Sequence, residues 1–272
     1  MRFSQSSFVY FNYPLQEAIR RLHEHGYQGI EVWGGRPHMY RHDLDDQLDE
    51  ITALLDRFGM NVSNFVPAQF RYPSILCSLN ETVRRDSVAY IQDAIDNALK
   101  LGAPHVSLCP GMTLYGQDLE DGWAQLRKSV EELLDYAAGK DVELLIEPAH
   151  QYESTLILTV DDGLRMIEEI GSHQLGILLD TGHAHLNGED LAEDVRKLAD
   201  VPLHIHIDDN DGESDQHLVP GDGSIDFEPF AAALEAIDYQ GFISAELGFG
   251  YTFDPDPAVE RTHAWLVETF AQ

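Results

Sequence analysis

Four side chains able to bind a hard cation fall at the ends of four consecutive apolar runs. Glu147 closes LLIEP, Asp180 closes LLD before TGH, His206 sits in HIHID, and Glu246 ends the run in ISAELG. Three carboxylates and one imidazole form an oxygen-rich donor set. It suits one divalent ion, Mn²⁺ first and Mg²⁺ or Co²⁺ after it, better than a thiolate-bound structural zinc. Any one of these residues alone reads equally well as a helix cap or a surface charge. Four in succession do not, because three carboxylates buried together without a cation carry a desolvation penalty of several kcal/mol per ion. The chemistry open to such a set is proton transfer beside a carbonyl. A chelated divalent ion stabilises the enediolate that forms when the proton leaves, and two carboxylates on opposite faces can take and return that proton.

These residues need a scaffold that brings strand ends together. Strands are expected at Arg2–Ser7, Gly29–Trp33, Asn61–Val66, His105–Cys109, Glu143–Glu147, Gly176–Asp180, Leu203–Ile207 and Phe242–Glu246. Amphipathic stretches alternate with them near Pro14–His25, Leu44–Phe58, Glu81–Leu101, Leu119–Ala138, Val160–Ile170, Asp190–Leu198, Phe227–Ile237 and Pro257–Phe270. Pro14 and Pro257 stand where a first helical turn tolerates a missing N–H, and Gly26, Gly59 and Gly102 follow apolar-periodic runs as helix-ending glycines do. VELLIE, LGILLD and LHIHID are nearly continuous apolar runs, as parallel strands covered on both faces are. Eight βα repeats without a linker predict one α/β domain over 1–272, a single (β/α)₈ TIM barrel, with its active site at the C-terminal ends of the strands.

Other residues are less specific. His204 and His206 point to one face of their strand, and His204, one layer deeper, reads as a satisfied core histidine. His183, on the turn three residues after Asp180, can present a neutral imidazole to a substrate oxygen or be an ordinary loop histidine. Trp33, in WGGRPH, is a candidate lid or sugar-stacking residue, with a packed aromatic as the plain alternative. Cys77 and Cys109 lack metal-type spacing and read as packed thiols in a reducing compartment.

Charge narrows the partners. Forty-eight acidic residues against 17 basic ones give a net charge of −31, and only four residues are lysine. Such a surface repels phosphate backbones and anionic membranes, so nucleic acid and lipid are disfavoured. The same excess suggests adaptation to high salt. No apolar run approaches the roughly 20 residues of a membrane span, and MRFSQSSFVYFNYPLQEAI lacks the form of a signal peptide. A cytoplasmic protein with a small-molecule substrate is expected.

Three longer segments carry a resemblance: GYQGIEVWGGRPH (Gly26–His38), IEPAHQYES (Ile146–Ser154) and HIHIDDNDGESDQHLVPGDG (His204–Gly223). With the four strand-end residues they resemble the sugar 3-epimerase branch of the xylose-isomerase-like barrels, which includes tagatose/psicose and fructoselysine epimerases. The resemblance implies metal binding by Glu147, Asp180, His206 and Glu246, with Glu147 and Glu246 as the proton-transfer pair. It also implies that Glu153 contacts the substrate near C1 or O1, that His183 hydrogen-bonds O2, and that the enzyme is a dimer or tetramer.

One position departs from the pattern. Free-ketohexose epimerases place an arginine six residues beyond the histidine ligand, and here that residue is Gly212. The acidic stretch DDNDGESD follows His206 instead, with His217 entering the PGDG turn as a further substrate-binding candidate. An amino-substituted ketose fits that loop better than free psicose or tagatose. The rival readings are a lyase or dehydratase acting on an inosose or 3-oxo-sugar at the same metal site, a DNA-repair endonuclease, which the charge opposes, and a non-catalytic sugar-binding protein.

Overall fold

The computed structural model describes residues 1–69 and 74–270. Eight parallel strands hydrogen-bond in chain order and close on themselves. They are β1 (Arg2–Ser6), β2 (Gly29–Gly34), β3 (Asn61–Pro67), β4 (His105–Leu108), β5 (Glu143–Ile146), β6 (Leu175–Asp180), β7 (Leu203–Ile207) and β8 (Phe242–Ala245). Closure is made by β1 against β8, with Arg2 opposite Phe242 and Gln5 opposite Ala245. The expected barrel is therefore the observed one.

The helices follow the apolar periodicity closely. They are α1 (Leu15–Glu24), α2 (Leu48–Phe58), α3 (Glu81–Leu101), α4 (Leu119–Ala137), α5 (Val160–Ile170), α6 (Thr181–Leu186), α7 (Leu191–Lys197), α8 (Phe227–Ala236) and α9 (Asp256–Phe270). Gly59 and Gly102 end α2 and α3 in the left-handed region, at φ 64° and 68°, where a Cβ would be strained. Pro14 is the N-cap of α1, one position earlier than a first-turn proline. A 3₁₀ turn, Asp45–Gln47, precedes α2 inside the stretch expected to be helical throughout.

Two differences bear on the site. Glu147 and Glu246 lie one residue past the ends of β5 and β8, so their backbones have left the ladder while their amides still donate to Leu108 O and Ile207 O. The short helix α6, absent from the sequence expectation, starts immediately after Asp180. Asp180 caps it, Oδ1 accepting from the His183 amide at 2.8 Å. A carboxylate at a strand end thus does serve as a cap, with its second oxygen left over for something else.

The strands pack closely enough to exclude side chains at some positions. A Cβ on Gly176 would lie 2.1 Å from the carbonyl oxygen of Pro202, just before β7. In register with that approach, Asp180 pairs with His206. The interior is not wholly apolar, for Gln5, Glu31, Asn64, Ser107 and His204 are all buried inside the barrel and form a polar layer beneath the strand ends.

Candidate active site

His206 is the centre of the constellation. Its Nδ1 lies 3.0 Å from Glu246 Oε2, 3.5 Å from Glu147 Oε1 and 3.6 Å from Asp180 Oδ2. The ligating atoms of all four residues lie within 4.8 Å of one another. The four residues expected to share an ion are therefore brought together, from β6, β7 and the first positions beyond β5 and β8.

Whether the set fits a cation is decided by what its atoms lack. Asp180 Oδ2 and His206 Nδ1 are buried and have no hydrogen-bond partner. Each has its other polar atom engaged, Asp180 Oδ1 by the His183 amide and His206 Nε2 by Glu31 Oε2 at 2.8 Å. A carboxylate only accepts, so Nε2 keeps its proton, and Nδ1 is the nitrogen that could turn a lone pair to the space between the carboxylates once a cation displaces its proton. Those orphaned atoms, with two further carboxylates, are what a divalent ion would satisfy.

Electrostatics agree. Burial disfavours the His206 imidazolium, yet the Glu31 and Glu246 carboxylates beside it push its pKa well above the ordinary histidine value. Burial raises the Glu147 pKa, against the lowering pull of His206. His183 is pushed up to about 10, since Asp180, Glu147, Asp215 and Glu153 outweigh its burial. Without a cation those carboxylates favour its protonated form. So many negative groups facing two or three imidazoles leave a place for added positive charge.

Above this cluster opens a cavity of about 630 Å³. Glu147, Glu153, His183, His217 and Glu246 line its polar side, and Phe8, Trp33 and Phe249 its apolar side. All four expected substrate-binding residues thus face one space. Trp33 sits within β2 and not on the loop beyond it, and Phe8 meets its ring edge-on at 5.3 Å. It lines the wall of the cavity beside Phe8. Phe249 completes the wall against Phe8 at 4.8 Å while remaining exposed at the rim. His217 reaches the cavity from a left-handed backbone position, φ 44°, with Nδ1 2.9 Å from Asp208 Oδ2 and 3.8 Å from Glu246 Oε2.

Sequence reasoning missed Glu31. It is fully buried, accepts from both His204 Nε2 at 3.0 Å and His206 Nε2 at 2.8 Å, and receives the amide of Asn64 at 3.1 Å. Burial opposes its charge, but the two histidines hold its carboxyl far below the usual range. A signal was present in GIEVWG, where one carboxylate interrupts an apolar strand on the same face as Trp33. His204 is, as expected, a satisfied interior histidine. Cys77 and Cys109 are free thiols, and no described helix is long and apolar enough to cross a membrane.

A family model described as "Xylose isomerase-like TIM barrel" matches residues 19–269. The chain belongs to that family. Among curated relatives, "Fructoselysine 3-epimerase" of Shigella flexneri is 31% identical over 260 residues, 94% of each chain. "3-dehydro-D-guloside 4-epimerase" of Escherichia coli (strain K12) is 24% identical over 276 residues, covering 98% of this chain and 99% of that one. A solved structure of a "D-tagatose 3-epimerase-like protein" superposes with a TM-score of 0.82 at 26% identity, over 98% and 99% of the two chains. The relatives are epimerases, and this xylose isomerase-like chain is an enzyme of the isomerase class.

Proposed function

We propose that this enzyme inverts C3 of a ketose or fructosyl-amine through an enediolate, with Glu147 and Glu246 as the proton-transfer pair. The observation that carries the reading is the approach of these two carboxylates, from β5 and β8, to 3.5 and 3.0 Å from one imidazole nitrogen at the floor of a sugar-sized cavity.

Glu147, Asp180, His206 and Glu246 would hold a divalent ion, Mn²⁺ by preference, which when bound would supply Lewis acidity beside the substrate carbonyl. The protein's own groups do the rest. One glutamate removes the C3 proton and the other returns a proton from the opposite face, so the centre inverts. His183 donates to the C2 oxygen, its ring fixed by an Nδ1–H bond to the Pro148 carbonyl at 3.3 Å. Glu153 meets the substrate near C1, His217 contacts it beside Glu246, and Trp33 with Phe8 and Phe249 covers its less polar face.

Two features favour an amino-substituted, unphosphorylated sugar. Among the described residues lining the cavity none is lysine or arginine, while Glu147, Glu153, Asp215 and Glu246 are acidic. An ammonium group is welcome there and a phosphate is not. A lyase or dehydratase acting on an inosose or 3-oxo-sugar is the second reading. Its substrate class, though not its elimination step, is favoured by likeness to a relative named as a 4-epimerase of a 3-dehydro-sugar. Chiral chromatography with mass spectrometry of fructosyl-amino acids and free ketoses incubated with Mn²⁺-loaded enzyme separates the two. Epimers of unchanged mass support the proposal, and a product lighter by one water overturns it. A cytoplasmic homodimer or homotetramer belongs to the same proposal, and sedimentation of the purified protein tests the assembly.

A further inference from the structure

We infer that His38 is a positioning residue which, acting through Ser7, sets the attitude of Trp33 and thereby the affinity of the cavity for its ligand. It rests on the reading that Trp33 faces the sugar, whichever reaction the sugar then undergoes.

His38 is fully buried and engaged at both ring nitrogens. Nε2 lies 3.2 Å from the Tyr10 carbonyl and 3.1 Å from the Tyr13 carbonyl. Carbonyl oxygens only accept, so Nε2 carries the proton. Burial lowers the pKa of the ring to about 4, which leaves it neutral at ordinary pH with Nδ1 bare. The Ser7 hydroxyl, 3.0 Å from Nδ1, therefore donates to it. The same oxygen accepts the Trp33 amide at 2.9 Å. Two carbonyls at one end thus dictate the direction of every hydrogen bond as far as Trp33. Ser7 and Tyr10 are also the two ends of the 3₁₀ turn that carries Phe8, so His38 grips that turn at both ends.

The indole is held from its face as well as from its backbone. A Cβ on Gly35 would lie 2.2 Å from Trp33 Cζ2, so the ring folds back into space that a side chain there would fill. Phe8 meets the ring edge-on at 5.3 Å and His38 at 6.0 Å. WGGRPH is in this light a clamp, with Trp33 as its jaw, Gly35 as the seat of the ring and His38 as the lock. A side chain ordered in advance loses less freedom when a ligand arrives. Loss of the clamp therefore weakens binding of ground state and transition state alike, which raises KM and spares kcat.

The first test needs no substrate. The protein has three tryptophans, so Trp123→Phe with Trp265→Phe leaves Trp33 as the one emitter. In that full-length background Ser7→Ala and Gly35→Ala are each expected to shift Trp33 emission to the red and to ease its quenching by acrylamide. Unchanged emission in both overturns the inference, even if no sugar is turned over. The second test uses Mn²⁺-loaded protein with all its tryptophans and a fructosyl-amino acid as substrate. Ser7→Ala should raise KM by about 5- to 30-fold, the worth of one buried hydrogen bond, with kcat kept within about twofold. Added to Trp33→Phe, the same substitution should raise KM no further, because both act on one side chain. His38→Asn, which keeps an acceptor where Nδ1 stands, should disturb KM less than His38→Gln, which keeps only the donor toward Tyr10 and Tyr13. A fall in kcat at constant KM, or a full effect of Ser7→Ala in the Trp33→Phe protein, overturns the inference.

Discussion

Glu31 Oε2 and His206 Nε2 lie 2.8 Å apart in the buried floor of the barrel. That contact fixes which nitrogen of His206 faces the three carboxylates, so Glu31 orients the imidazole that the proposed cation would meet. Removing the carboxylate charge while preserving shape, as in Glu31→Gln, is expected to weaken Mn²⁺ binding about 10- to 100-fold. Calorimetric titration of the metal-stripped protein measures it. Unchanged affinity would mean that His206 needs no such partner.

Glu147→Gln and Glu246→Gln are each expected to reduce turnover by about 10²- to 10⁴-fold, the usual contribution of a positioned acid or base. Circular dichroism of both variants should match the native protein. Near-native turnover in either one would remove the two-carboxylate scheme.

Much of this site was legible because its ligands end consecutive apolar strands, and strand-end chemistry in a barrel is a matter of chain order alone. The repeat of βα units likewise fixed the closed sheet. Glu31 escaped because its partner, His206, lies 175 residues away, and no local pattern encodes that contact. Helix α6 escaped because six residues carry too little periodicity. Phe8 and Phe249 come together from opposite ends of the chain, a pairing set only by the closure of β1 on β8.

Glu189 provides a pH prediction remote from the cavity. It accepts from the Val160 amide at 3.0 Å, and burial pushes its pKa up to about 7. A raised carboxyl pKa means the folded state prefers the protonated acid. Its stabilising contribution is complete below the ordinary value near 4.5 and is lost as pH climbs through 7. Discounted for partial solvent screening, the effect is about 1 kcal/mol. Across pH 5–8, urea denaturation should show the native protein losing stability relative to Glu189→Gln. Parallel curves for the two proteins would contradict the assignment.

Gly176→Ala is expected to destabilise the barrel by about 1–3 kcal/mol, because the added methyl would meet the Pro202 backbone at 2.1 Å. A shift of the urea midpoint to lower concentration, with the slope unchanged, is the expected reading. No shift would show that β6 and β7 separate freely.

The net charge of −31 implies self-repulsion that salt relieves, since the screening length shrinks from about 10 Å at 0.1 M to about 3 Å at 1 M. The melting temperature should rise as sodium chloride is raised over that range. A flat or falling curve would contradict adaptation of this surface to high salt.

Solvent exchange reaches the proton-transfer scheme most directly. Mn²⁺-loaded enzyme is incubated with a fructosyl-amino acid in D₂O, and carbon-bound deuterium is located by NMR. The account predicts deuterium at C3 of the inverted product and none at C1. Label at C1 alone, or an epimer that retains its original C3 hydrogen, would contradict it.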